Sequence, residues 1–259
     1  MPSEISRDRL PFQEQIDFFR GKLNLPTAHW DDILKSAHDR AFIVAGAQSA
    51  DLLQDLRTAV DGALTKGKSI QWFREQFDAT VAKNGWSYVG ERDWRTRVIY
   101  NTNMATSYAA GRYKQLQHFE YWRYKHNDSV IHPRPLHVSW DGLVLPKNDP
   151  WWQTHFPPNG WGCRCRAIAA TPAEYRGTGK HTAPDDGTYE KVDRYGVRHV
   201  IPNGIDYGWD YAPGARASDT GESLMADKLV RWEPKLRDAV LKWLADEVRA
   251  AALKSLVGK

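Results

Sequence analysis

Apolar residues recur every three or four positions through most of the first 120 residues, the spacing of helices that bury one face. A short helix is predicted from Pro11 to Lys22, with Ile16, Phe18 and Phe19 on its apolar side. Thr27 is placed to cap a second, carrying Trp30, Ile33, Leu34, Ala37 and Ala41. Ser49 is placed to cap a third, with Leu52, Leu53, Leu56, Val60 and Leu64. Gly67-Lys68-Ser69 interrupts the pattern, and Ile70, Phe73, Phe77 and Val81 make the face of a fourth helix. Asn84-Gly85 should stop it, because a left-handed stop favours glycine. Arg92 to Phe119 reads as one long helix whose stripe runs through Trp94, Val98, Asn101, Thr102, Ala105, Tyr108, Ala109, Arg112, Tyr113 and Leu116. Asn101 and Thr102 make that stripe polar at its middle, so they are expected to hydrogen-bond the backbone of the loops that follow.

Beyond Phe119 the period shortens to two. Phe119 to Lys125 reads as a strand, and Val138 to Leu145 as another built around an Asp141-Gly142 hairpin turn. Trp161 to Ala169 reads as a third, with Cys163, Cys165, Ala167 and Ala169 on one face and Arg164, Arg166 and Ile168 on the other. Thr171 to Gly187 has a loop composition, Val192 to Ile201 forms a hairpin around Tyr195-Gly196, and residues 202–217 should wrap the surface. A helix is expected from Ser218 or Thr220 to Arg231. Pro234 opens a last one, with Leu236, Val240, Leu241, Leu244, Val248 and Leu253 as its stripe. The fold class expected is α+β: mainly helical, with a small antiparallel sheet packed on a long helix and helical N- and C-terminal extensions. The division expected is a helical region over 1–90, a core domain over 91–214 and a helical tail over 215–259.

Composition narrows the function without naming it. At 259 residues, 41% hydrophobic and 26% charged, the chain has an ordinary globular balance. Twelve Trp is far above common usage and suits a subunit of an assembly, since Trp serves cores and interfaces alike. A net charge of +4 permits non-specific DNA contact without requiring it. No apolar run approaches the roughly 18–20 residues of a membrane span, and the polar N-terminus lacks a signal peptide's apolar core. No membrane partner and a cytoplasmic location are therefore expected. Neither Gly-Lys site, in Thr65 to Ser69 or Gly177 to Lys180, sits in a complete phosphate-loop pattern.

The chemistry concentrates between Asp128 and Arg166. His137-Val-Ser-Trp-Asp141-Gly142 is followed by Asp149-Pro-Trp151-Trp152, then Pro157-Pro158-Asn159-Gly160-Trp161-Gly-Cys163-Arg164-Cys165, which holds both cysteines of the chain. These blocks resemble the core of the phage Mu F-like minor head proteins. The entry helix with Arg95-Thr-Arg97 and Asn101-Thr-Asn103 is similar to that family's, as is the ending Ile201 to Gly214. The resemblance covers roughly 92–214. It implies a phage or prophage minor head protein acting in head morphogenesis, associated with the portal and other head proteins and with DNA packaging or delivery. It also implies a place in the virion after assembly in the host cytoplasm.

Two thiols on one strand face would stand roughly 6.5–7 Å apart at Cα, beyond easy disulfide reach but suited to gripping one ion. Zinc takes four tetrahedral donors. His137, Cys163 and Cys165 are the candidate metal ligands, and His132, His155, Asp141 and Asp128 stay open for the fourth place. Some members of the resembled family carry Cys-x-x-Cys before the Asp-Gly and His-Pro before the Cys-Arg-Cys. Here Arg134 and His137 take the two cysteine places, and Gly160-Trp161 replaces the His-Pro. The other reading has the thiols as small buried hydrophobes and His137 as a hydrogen-bonded core residue. A Cys–His nucleophile lacks an orienting third group, so no enzyme activity is expected. The alternative is a DNA-processing enzyme or toxin-like effector using Arg97, His137 and Asp141.

Overall fold

The computed structural model describes residues 12–217 and Asp238. The two helices expected after Ser218, with the stripe from Leu236 to Leu253, lie outside the described residues. Helix α1 (Gln13–Arg20) buries Ile16 and Phe19. A two-residue strand β1 (Leu23–Asn24) follows, then a run of turns, the single-turn helix α2 (Ala37–Arg40) and strand β2 (Ala41–Phe42), which pairs with β1 in parallel. The helix predicted from Thr27 is therefore not formed. The Asp32 carboxylate accepts the N–H groups of Ala28 and His29 in a local turn, and Lys35 has a positive φ of 52°, which no right-handed helix accommodates. Ile33, Leu34 and Ala37 are buried all the same, so their spacing reflects burial delivered by turns. That stripe is covered within the chain.

The next two helices follow the pattern. In α3 (Ala50–Thr65) the Ser49 side chain accepts the Leu52 N–H, and in α4 (Ile70–Asn84) Ser69 accepts that of Trp72. Gly85 ends α4 in the left-handed conformation. Phe19, Phe42, Leu52, Leu53, Leu56, Val60, Phe73 and Phe77 form one buried cluster with Ile99 of the long helix α5 (Arg92–Leu116).

The buried line of α5 is not the one its large residues suggest. Trp94, Asn101 and Tyr108 are exposed, whereas Thr96, Ile99, Thr106, Ser107, Ala109, Ala110 and Gly111 are buried. Thr96, Thr106 and Ser107 donate to carbonyls one turn back, at Arg92, Thr102 and Asn103, so the helix satisfies its own hydroxyls. Small residues let neighbours come close: a Cβ on Gly111 would stand 2.7 Å from the Phe12 ring.

Strand β3 (Tyr121–Lys125) is the centre of a three-stranded antiparallel sheet. After it come α6 (Pro135–Ser139), β4 (Val144–Pro146), α7 (Trp151–His155) and β5 (Arg166–Ala170). The order is β4-β3-β5, with Trp122 opposite Leu145 on one side and Ala169 on the other. Helix α5 packs on β5, so the sheet on a long helix is as expected. The detail differs. His137 to Ser139 are helical, because Pro135 opens a helical turn at its first position. Asp141-Gly142 turns the chain from α6 into β4, with Gly142 at φ 80°. The strand through Cys163 begins only at Arg166. The 171–187 stretch contains α8 (Pro172–Gly177), held by a capping box between Thr171 and Glu174. Strands β6 (Thr188–Val192) and β7 (Arg198–Pro202) form the expected hairpin.

Residues 202–217 do not lie over the surface. Ile205, Trp209, Tyr211 and Ala212 are buried in the core as an internal strap. A second cluster collects Trp122, Tyr124, Trp140, Trp151, Trp152, Phe156 and Trp209 against Ala109 and Leu116 of α5. The N-terminal turns are tied to the segment over 194–214: Asp31 pairs with Arg194, Lys35 with Asp210, and Asp39 accepts the N–H of Gly214.

Candidate metal centre

Two short segments converge at the edge of the Trp cluster. Helix α6 carries His137, buried, its ring stacked on Trp140 at 5.2 Å. The segment entering β5 carries Cys163 and Cys165, neither in a disulfide. The donor atoms of His137, Cys163 and Cys165 all lie within 4.8 Å of one another. His137 Nδ1 stands 3.8 Å from the Cys163 sulfur and 3.6 Å from that of Cys165. Its other nitrogen, Nε2, is 2.8 Å from the Gly204 carbonyl oxygen. A carbonyl accepts only, so Nε2 carries the proton and the Nδ1 lone pair faces the sulfurs. This is the tautomer a metal needs.

The thiols titrate as a pair. Cys163 beside it holds the Cys165 thiol well below the ordinary range, against the opposing effect of burial. The same contact, with burial, pushes Cys163 well up.

The expected candidates for the fourth donor are scattered. His155 stacks on Trp151 at 4.3 Å, and burial lowers its pKa to about 4. Asp141 has both oxygens engaged, one by the His126 N–H at 2.8 Å and one by Lys125 at 2.9 Å. Asp128 and His132 are exposed, although His132 lines the shallow hollow of about 350 Å³ beside the cysteines. Neither Arg97 nor Asp141 lines that hollow, so Arg97, His137 and Asp141 are not brought to one cleft. Arg92 is paired with Asp78, and Arg95 reaches the Ala45 carbonyl.

One residue at the site escaped the sequence reading. His126 is buried, with Nδ1 3.4 Å from the Cys165 sulfur. It continues the inward parity of Trp122 and Tyr124 one step past β3, and that alternation was the available signal.

The Pro157-Pro158-Asn159-Gly160 block shapes the wall beside the centre. The Pro157-Pro158 bond is cis. Asn159 is fully buried, accepting from the Tyr124 hydroxyl at 2.9 Å through its side chain and from the Asp206 N–H through its backbone. Arg134 pairs with Asp206 at 2.7 Å. A Cβ on Gly160 would lie 2.2 Å from that carboxylate and 2.3 Å from the Arg134 guanidinium. Arg134 and the bare Gly160 thus fit each other: the Arg134–Asp206 ion pair fills the space that a side chain at 160 would need.

These blocks lie within a match to a known family. The chain is Mu F-like: residues 54–168 match the family described as Phage Mu protein F like protein. It is 32% identical to "Putative capsid assembly protein F" of Escherichia phage Mu, over 91% of this chain and 62% of that one. It is 34% identical to the Mu-like prophage FluMu F protein of Haemophilus influenzae, over 63% of this chain and 43% of that one. The chain therefore spans about two-fifths to three-fifths of the length of these relatives. No solved structure matches it. No helix among the described residues is long and apolar enough to cross a membrane.

Proposed function

We propose that this chain is a minor head protein of a tailed phage or prophage, present in few copies, docked near the portal and acting in head morphogenesis. The observation that carries the reading is the alignment over 91% of the chain with a protein named for capsid assembly. The partners are the portal and other head proteins. The net charge of +4 favours loose, salt-sensitive contact with packaged or entering DNA. The protein is built into the virion after assembly in the host cytoplasm, and it has no hydrolytic role. The test is removal of the coding sequence from the phage or prophage and complementation in trans. Heads should fail or package poorly without the protein, and purified particles should contain it and co-purify it with the portal. Normal, infectious particles lacking the protein would overturn the reading.

The His137, Cys163 and Cys165 cluster serves this role as a zinc-held staple. Its support is the fit of the donor set: two soft sulfurs and an imidazole whose tautomer Gly204 fixes. Zinc there would tie α6 to the segment entering β5 and strengthen the irregular half of the molecule. Metal analysis of the purified protein should find one zinc per chain. A strong chelator should lower the melting temperature of the wild type and leave a Cys163→Ser, Cys165→Ser double variant unmoved. Metal-free protein indifferent to both zinc and chelator would leave the cysteines as plain buried thiols.

A further inference from the structure

A closed structural zinc site takes four protein donors, and His137, Cys163 and Cys165 supply three. We propose that His126 is the fourth ligand, making the centre a closed Cys2His2 site. The proposal rests on the zinc reading above and sharpens it. Zn–S is about 2.3 Å and Zn–N about 2.0–2.1 Å, so neighbouring N and S donors on a tetrahedron stand about 3.6 Å apart. The three N···S separations at this site are 3.4 Å for His126 to Cys165, 3.6 Å for His137 to Cys165 and 3.8 Å for His137 to Cys163. Each is the edge of such a tetrahedron.

His126 is also held where a ligand should be. It is buried, and its backbone N–H is fixed by Asp141, which Lys125 holds in turn. Its ring lies outside the set whose donors are all within 4.8 Å of one another, and it meets that set through Cys165. Closing the tetrahedron therefore asks for rotation of the imidazole on an anchored backbone. The competing donors are less suited. Asp141 is already bonded at both oxygens, the His155 Nδ1 is bonded to Trp151 and Thr154, and His132 and Asp128 are exposed. Four protein donors leave no coordination position for water, so such a centre staples rather than hydrolyses. It would join the end of β3, the middle of α6 and the approach to β5.

The test uses the full chain loaded with zinc or cobalt(II), read by X-ray absorption and by the ligand-field bands of cobalt. Wild type should show two sulfur and two nitrogen donors in tetrahedral geometry. His126→Ala should weaken metal affinity on the order of a hundredfold or more, beyond the loss usual for an outer-shell partner. His126→Cys should keep the metal and raise the sulfur count from two to three, which a merely structural histidine would not do. His132→Ala should leave affinity unchanged. Zinc uptake with two sulfurs, combined with indifference to both His126 variants, overturns the fourth ligand while sparing the zinc reading. Failure of wild type to take up either metal overturns both. Should His126→Ala fail to fold, His126→Cys still decides through its sulfur count.

Discussion

The two buried clusters are built by different means. In the helical one, Leu52, Leu53, Leu56, Phe73 and Phe77 project from regular, capped helices, and the backbone hydrogen bonds are internal to each helix. In the Trp-rich one, Trp140, Trp151, Trp152 and Trp209 fill the space between short helices, bends and a strap with little repeating structure. There the backbone relies on particular side chains, as when Asn159 joins Tyr124 to the Asp206 backbone. The helical cluster is set by a repeating period along each helix. The Trp cluster depends on individual contacts, which suits a region that must present a fixed shape.

Trp140 is the sharpest place to break this comparison. It is fully buried, packs on Tyr124, His137, Trp151 and His155, and donates to Asp186 at 2.7 Å. Trp140→Ala should cost about 3–5 kcal/mol for the cavity and a further ~0.5–1.5 kcal/mol for the lost hydrogen bond to the half-buried Asp186. Phe77→Ala, in the helical cluster, carries the cavity cost alone. Denaturant melts of the two variants against wild type decide it, with Trp140→Ala expected to be the weaker protein. Equal losses would mean that the Trp cluster packs like any other core. Gly204→Ala is a milder probe of the same contact, because its φ is 85° and a Cβ there would stand 2.6 Å from the Trp140 ring.

The seam between the two regions is polar and should respond to pH. Asp39 is buried where the strap comes back, accepting the N–H groups of Gly214 and Arg216, with Lys22, Arg40, Tyr113 and Tyr211 around it. Burial is the largest influence and raises its pKa to about 6, although Lys22 and the two N–H groups pull the other way. A carboxyl whose folded pKa is raised binds its proton more tightly in the folded state. Its contribution is fully present below the unfolded value of 3.8 and is lost as pH rises through about 6. Between pH 4 and 7, wild type should therefore lose roughly 2–3 kcal/mol relative to Asp39→Asn. Parallel stability curves for the two proteins would show that the seam carries no buried charge.

Legibility in the sequence follows the same division. Ser49 and Gly85 were readable because caps and stops act on adjacent residues. The failed helix after Thr27 shows the limit, since apolar spacing records burial and not the backbone that delivers it. In α5 the large residues Trp94 and Tyr108 misdirected the stripe, while the true buried line is made of small residues and self-satisfied hydroxyls. At the candidate centre, His137, Cys163 and Cys165 were singled out for their chemistry and do converge. The shared strand face invoked for the cysteines is absent, as both precede β5. His126 was missed because nothing in its spacing from the cysteines marks it. The strap over 202–217 was misplaced because its burial depends on partners scattered from Trp30 to Trp161.

The smallest effect asks how far a local change travels in each region. Ser49 and Ser69 cap helices that bury Leu52, Leu53, Leu56, Phe73 and Phe77, so fraying at those ends disturbs the core. Ser49→Ala and Ser69→Ala should each cost about 1 kcal/mol of global stability. Thr171 makes the same kind of bond to Glu174, completed by the return bond from the Glu174 carboxylate, but α8 buries none of its residues. Losing that cap exposes little new apolar surface, and the Arg123–Glu174 pair at 2.7 Å can still hold the turn near the sheet. Thr171→Ala should therefore shift global stability by no more than about 0.5 kcal/mol while speeding amide exchange within α8. Hydrogen exchange together with a denaturant melt separates the two quantities. A Thr171→Ala loss as large as that of Ser49→Ala would mean that α8 is part of the cooperative core and not an appendage on it.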